Sequence, residues 1–298
     1  MKSYLDCIPC FIRQSLDSIR RVSNDESIHQ EVIRSILDKA SKMDLNESPP
    51  SMAQFIHRLI RKKTGVADPY REIKQYFNRE ILAMFDDLKS RIEQSSDPIE
   101  TAIRLAIAGN IIDLGARNQV NQHIIQEAID HALANQLAWD RHEFIEAIEN
   151  AETILYLADN AGEIVFDWLL IEQLPIQKIT VAVRGYPILN DVTLDDVKEI
   201  GLDKIVSVID NGSDVPGTIL SDCSKNFVER FNQASMVISK GQGNYETLSN
   251  VDQDIFFMLK AKCPVIAEDI GCKVGDMVFQ RSSSKLNPDQ TEPCQIAS

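Results

Sequence analysis

After Asn150 the chain repeats one short unit: a β-rich apolar run, a polar turn, then a helical stripe. The runs are Thr153 to Leu157, Lys178 to Val183, Lys204 to Ile209, Met236 to Ser239 and Pro264 to Ala267. Short apolar runs alternating with helix-period segments are the signature of βαβ units, which stack into a mostly parallel sheet with helices on both faces. Residues 151–281 are therefore expected to form a Rossmann-like three-layer α/β/α domain, with Val274 to Phe279 as an added edge strand. Its clearest unit is Leu155 to Ile164, a buried strand that breaks at Asp159-Asn160-Ala161-Gly162-Glu163 into a helix carrying Ile164, Val165, Trp168 and Leu169.

Residues 1–150 have a different rhythm. Ile28, Val32, Ile36 and Leu37 make one stripe, Phe55, Ile56, Leu59 and Ile60 a second, and Ile73, Phe77, Ile81 and Leu82 a third. Ile99, Ile103, Ile107 and Ile111 continue the series. This spacing predicts helices throughout, started and stopped by turns such as Asn46-Glu47-Ser48-Pro49-Pro50. Residues 282–298, rich in Ser, Asn, Pro and Gln, read as a flexible tail.

Net charge limits the partners. At −14, the chain is a poor match for nucleic acid or an anionic membrane surface, both of which reward clustered Lys and Arg. No apolar run approaches the roughly 20 residues that span a bilayer. Met1 to Asp6 lack the apolar core of a signal peptide, so a cytoplasmic location is expected. Six cysteines in 298 residues are not a disulfide framework.

In an open α/β sheet, ligands sit beyond the carboxyl ends of the strands. The residues expected there are Asp159-Asn160 with Glu163, then Arg184 to Asp191, Asp210-Asn211-Gly212, Lys240 to Asn244, and Glu268-Asp269. Hard oxygen donors, amides, a Lys and an Arg at one edge suit a hard divalent cation together with a phosphate. Each piece alone has a plainer reading. Asp and Asn after a strand are common turn formers, and a Gly-Gln-Gly run serves a tight bend. Lys240 is harder to set aside, because a charge directly after an apolar strand needs solvent or a partner.

The same residues resemble the damage-control phosphatases, formerly domain of unknown function 89. The matching motifs are Asp159-Asn160-Ala161-Gly162-Glu163, Arg184 to Thr193 and Ser239 to Glu246. In the helical half, Cys7-Ile8-Pro9-Cys10, Asp68-Pro69-Tyr70 with Lys74, and Gly109 to Asp113 also match. The motifs occur in order from about residue 4 to residue 279, and the CxxC is similar to the prokaryotic and archaeal branch. The resemblance implies metal-dependent hydrolysis of small phosphate monoesters, sugar phosphates or damaged phosphometabolites, with Mn²⁺, Co²⁺, Ni²⁺ or Mg²⁺ as the ion. A metal-bound water and an aspartyl-phosphate on Asp159 both stay open as routes, with water favoured by the residue at position 161. The resemblance implies Asp159, Asn160 and Asp191 as metal ligands; Glu163, at the start of the following helix, is expected to order the water. It places Lys240, Gly241, Gly243, Asn244 and Lys262 at the substrate phosphate, where the strand-end reading also puts Arg184; Asn110 and Asp113 either line the cleft from the helical side or cap a helix C-terminus. The Arg-Thr-x-Lys motif that carries the equivalent of Lys262 elsewhere is not intact here. An aspartyl-phosphate route normally wants a second acid two residues after the nucleophile, where this chain has Ala161.

Cys7 and Cys10 fit a redox pair, half of a structural zinc site, or simple packing. The five histidines fall on expected helices without zinc spacing. Two alternative functions stand beside the phosphatase. One is a non-catalytic protein binding a metal and a phosphometabolite in the same cleft. The other, an S-adenosylmethionine or dinucleotide enzyme, lacks a Gly-x-Gly-x-x-Gly after the first strand. Oligomeric state leaves no mark in the sequence.

Overall fold

The computed structural model describes residues 1–109, 122–135 and 137–282. Helices α1 (Cys7–Val22), α2 (Glu26–Ser41) and α3 (Pro49–Thr64) each turn one apolar stripe inward. Phe11 and Ile19, Val32 and Ile36, and Met52, Ile56 and Ile60 meet in a cluster of their own. The helix limits follow local chemistry. The Asp25 side chain accepts from Ser27 N ahead of α2, and Pro49 and Pro50 open α3, where a missing N–H costs nothing.

Helices α4 (Arg71–Leu82), α5 (Phe85–Glu93), α6 (Pro98–Gly109), α7 (Gln122–Ala134) and α8 (Arg141–Asn150) complete the first half. The sheet follows, with β1 (Ile154–Leu157), β2 (Ile179–Val183), β3 (Ser207–Asp210), β4 (Met236–Lys240), β5 (Ile255–Lys260) and β6 (Met277–Arg281). Its order is β3-β2-β1-β4-β5-β6; β1 to β5 are parallel and β6 is antiparallel to β5. The chain is thus mixed α/β, and the strand order reverses at β1, the switch point where such sheets open a crevice.

Between the strands run α9 (Glu163–Ile171), α10 (Leu194–Ile200), α11 (Lys225–Gln233), α12 (Gln242–Leu248) and α13 (Pro264–Ile270). Strand alternation divides the buried residues into two faces. Ile154, Tyr156, Met236, Ile238, Phe256 and Met258 pack with α6, α9 and α10. Leu155, Leu157, Val237, Phe257 and Leu259 pack with α11, α12 and α13.

The expected division near residue 150 is a change of secondary structure that the packing does not follow. Phe77, Leu88, Leu105, Ile129 and Phe144, from α4 to α8, share one cluster with the sheet, whereas the cluster of α1 to α3 stands apart. The fifth strand also lies elsewhere than expected. Pro264 to Ala267 begin α13, with Pro264 at its first turn and Cys263 in extended geometry before it. Proline is pre-organised for that position. The strand is instead Ile-Phe-Phe-Met-Leu-Lys, and its first five residues, Ile255 to Leu259, are all buried. Glu268 and Asp269 consequently fall inside α13, away from a strand end, and Asp269 Oδ2 accepts from Tyr245 OH at 2.8 Å. Among the described residues no helix is long and apolar enough to cross a membrane.

Candidate active site at the strand ends

β1 ends just before Asp159 and Asn160 at the switch point, and the loop after β2 folds back onto them. Val192 N donates to Asp159 O (2.9 Å), Ala161 N to Asn190 O (2.9 Å), and Asn160 and Asp191 form an isolated antiparallel bridge. Two loops separated in sequence are thereby stitched into one platform. It carries Asp159, Asn160 and Asp191, the three residues singled out as metal ligands. Asn190 Nδ2 donates to Asn160 Oδ1 at 2.8 Å, and Asn160 Nδ2 donates to Asp159 Oδ2 at 2.7 Å.

Arg184 joins the two carboxylates. Its Nε donates to Asp191 Oδ2 at 2.7 Å, its Nη2 lies 3.6 Å from Asp159 Oδ1, and the same Nη2 donates to Asn244 Oδ1 at 3.3 Å. Arg184 is 2% exposed, so its charge acts in a dry setting. Burial lifts the Asp191 carboxyl to about 7; Arg184 pulls it down, while neighbouring Asp159 pushes it up. A pair of buried acids sharing one guanidinium favours an added cation, and two carboxylates with an amide are hard oxygen donors.

The loop after β4 closes the platform. Gly241 has φ +79, and a Cβ there would collide with the Asp159 carboxylate. The backbone can run this close to Asp159 only because residue 241 is glycine. Asn244 is fully buried, held by Lys240 O (2.8 Å) and by Thr218 Oγ1 (2.8 Å), so it braces Arg184.

Lys240 corrects the sequence reading. Its Nζ donates to Glu163 Oε1 (2.7 Å), Asp167 Oδ1 (2.5 Å) and Ala106 O (2.9 Å), and the side chain is fully enclosed. All three ammonium protons are committed to protein acceptors, which removes Lys240 from direct contact with a phosphate. Strand alternation explains this: Met236, Ile238 and Lys240 share the face under α6 and α9. Glu163 lies in the same pocket, with Oε2 accepting from Asn160 Nδ2 at 2.8 Å.

Lys262 is exposed on the loop after β5, its backbone N–H donating to Gln242 Oε1 at 3.2 Å, so it stands at the rim of the Gly241 loop. Asn211, expected in a plain turn, is one: its Oδ1 accepts from Gly185 N and Ser213 N, both at 2.9 Å, and shapes the loop after Arg184. Asn110 and Asp113 lie outside the described residues. Cys7 and Cys10 lie at the start of α1, and burial pushes the Cys7 thiol up. Among the described residues no group of three or more His, Cys, Asp or Glu is placed to hold a metal; the donors that could hold one at this platform are the Asp159 and Asp191 carboxylates and the Asn160 amide oxygen.

A model of the damage-control phosphatase ARMT1-like domain matches residues 3–278. The chain belongs to this family. A Methanocaldococcus jannaschii relative, itself uncharacterized, is 35% identical over 92% of this chain and 93% of its own. A Pyrococcus horikoshii damage-control phosphatase is 33% identical over 96% of this chain and 100% of its own. One from Archaeoglobus fulgidus is 32% identical over 91% and 96%. The crystal structure of a DUF89 family protein from Pyrococcus horikoshii superposes with a TM-score of 0.84 at 32% identity, over 95% of this chain and 99% of that one.

Several residues that build this candidate site are not among those expected from the sequence. Asn78 Oδ1 accepts from Gly162 N at 2.7 Å, fixing the turn after Asp159 from the helical half. Lys74, noted only as part of a motif, donates to Asp196 Oδ2 (2.9 Å) and reaches Asp191 O (3.5 Å). Asp167 had a usable signal. It is the one charge among the apolar residues that follow Glu163 in Glu-Ile-Val-Phe-Asp-Trp-Leu-Leu-Ile, and a charge in so apolar a helix requires a buried partner. Asn78 had none, since a polar residue on a helix is ordinary.

Proposed function

We propose that this chain is a metal-dependent phosphatase of small phosphorylated metabolites, acting at the platform of Asp159, Asn160 and Asp191. The observation that carries the reading is the stitched pair of loops, which sets two buried carboxylates and an amide around one point beside a buried Arg. The names of the Pyrococcus and Archaeoglobus relatives support a phosphatase of damaged metabolites.

In this reading Asp159, Asn160 and Asp191 hold the divalent ion, which when bound polarises the phosphoryl oxygens and acidifies a water. Arg184 holds Asp191 and Asp159 in register and supplies positive potential from below. The Gly241 turn brings backbone rather than side chain against Asp159. Lys262 at the rim is the cation available to an incoming phosphate. Water is the nucleophile, since Ala161 stands where an aspartyl-phosphate route wants a second acid.

A screen of phosphate esters, sugar phosphates among them, against Mn²⁺, Co²⁺, Ni²⁺ and Mg²⁺ tests the proposal. Phosphate release that requires one of these ions is expected. Tight ion and ester binding without release under any metal would point to the non-catalytic binding protein instead.

A further inference from the structure

We propose that Glu163 is a positioning residue that sets which end of the Asn160 amide faces the metal platform, and that Lys240 with Asp167 holds Glu163 to that task. The inference rests on the metal reading above. Asn160 Nδ2 donates to two acceptors, Asp159 Oδ2 at 2.7 Å and Glu163 Oε2 at 2.8 Å. An ionised carboxylate only accepts, so both neighbours demand the NH₂ end of the amide. Oδ1 is thereby turned to the opposite side, where Asn190 Nδ2 meets it at 2.8 Å. An amide that turned over would present NH₂ to a cation, and NH₂ does not ligate a hard ion.

Glu163 is fixed in turn from behind. Its Oε1 accepts from Lys240 Nζ at 2.7 Å, and both side chains are fully buried. Lys240 is locked by Asp167 Oδ1 at 2.5 Å and by the α6 carbonyl of Ala106 at 2.9 Å, while Tyr156 OH donates to Asp167 Oδ1 at 2.7 Å. Glu163 and Asp167 are four apart on α9, so they share one helix face and both reach the Lys at the end of β4. Hydrogen bonds link Tyr156, Asp167, Lys240, Glu163 and Asn160 in sequence, with Tyr156 and Lys240 both on Asp167 Oδ1 and Asp167 Oδ2 left without a partner among the described residues. The network thus transmits the placement of α9 and α6 to one amide.

Glu163→Gln is the discriminating change. Glutamine has one accepting and one donating end, so it serves Lys240 or Asn160 but not both. Groups that orient metal ligands typically contribute about 10- to 100-fold in affinity or activity. Calorimetric titration of Mn²⁺ into the full chain should therefore show affinity reduced by about 10- to 100-fold in Glu163→Gln. Phosphate release by that variant should recover as Mn²⁺ is raised to saturation, a rescue that a merely structural defect does not allow. Mn²⁺ affinity within twofold of wild type would overturn the inference and leave the metal reading intact. No Mn²⁺ binding by the wild-type chain would overturn the metal reading itself, and the inference with it. A second measurement needs no folded variant at position 163. In the wild-type chain, the side-chain amide protons of Asn160 should be protected from solvent exchange in NMR, with and without Mg²⁺. Rapid exchange of these protons would also overturn the proposal.

Discussion

The side chain of Asn78, on α4, accepts the backbone N–H of Gly162 at 2.7 Å, so a helix far away in sequence holds the turn that carries Asp159 and Asn160. Gly162 has φ +76, and a Cβ there would press on Phe77 at 2.9 Å. The turn sits tight against α4 because Gly162 presents only backbone to Phe77 and Asn78. Asn78 also donates to Asp196 Oδ1 (3.3 Å) and Glu199 Oε2 (3.4 Å), tying α10 to the same point.

Replacing Asn78 by Leu leaves the Gly162 N–H buried without an acceptor. The expected loss of stability is about 1–3 kcal/mol, the usual consequence of orphaning a buried polar group. Urea denaturation monitored by circular dichroism measures it, and Mn²⁺ affinity should fall in the same variant because the turn is no longer fixed.

Gly241→Ala should leave the fold largely intact and damage the site. The new methyl group collides with the Asp159 carboxylate, so Asp159 or the loop must shift. A displacement of about 1 Å at a reacting centre can cost about 100-fold in rate. Steady-state phosphate release against a cooperative melting curve separates the two effects.

His57, on α3, gives the chain a pH signature of its own. It is buried on α3, and its Nε2 has no hydrogen-bond partner among the described residues. Burial first, then the nearby Arg61, lowers it from 6.5 to about 3, against a smaller upward pull from Asp214. Between those two values the unfolded chain takes up a proton that the folded chain refuses. Stability should therefore fall as pH falls through this window, with a slope of up to about 1.4 kcal/mol per pH unit from this residue. His57→Leu should flatten the slope between pH 6.5 and 4 in denaturation experiments; an unchanged slope would assign the dependence to other groups.

Much of this was legible in the chain itself. The change of rhythm after Asn150 marked the sheet, and Asp159, Asp191 and Asn244 do converge at its strand ends. Two things were hidden for physical reasons. A proline at the first turn of α13 looks like any Pro-Val-Ile-Ala run, so the helix passed for a strand while Ile255 to Lys260 went unread. Lys240 was placed at the right edge but on the wrong side of it. Its even spacing from Met236 and Ile238 turns it into the helix layer, where Glu163 and Asp167 meet it. Contacts such as Asn78 to Gly162 depend on how α4 docks, and no local pattern in the sequence encodes that.

The most direct test compares phosphate release by the wild-type chain and by Asp159→Ala, across phosphate esters with and without Mn²⁺. Release that depends on the ion in the wild type and drops to background in Asp159→Ala, with both chains melting cooperatively, is the predicted result. Near-normal turnover by Asp159→Ala would contradict the assignment of the reaction to this platform.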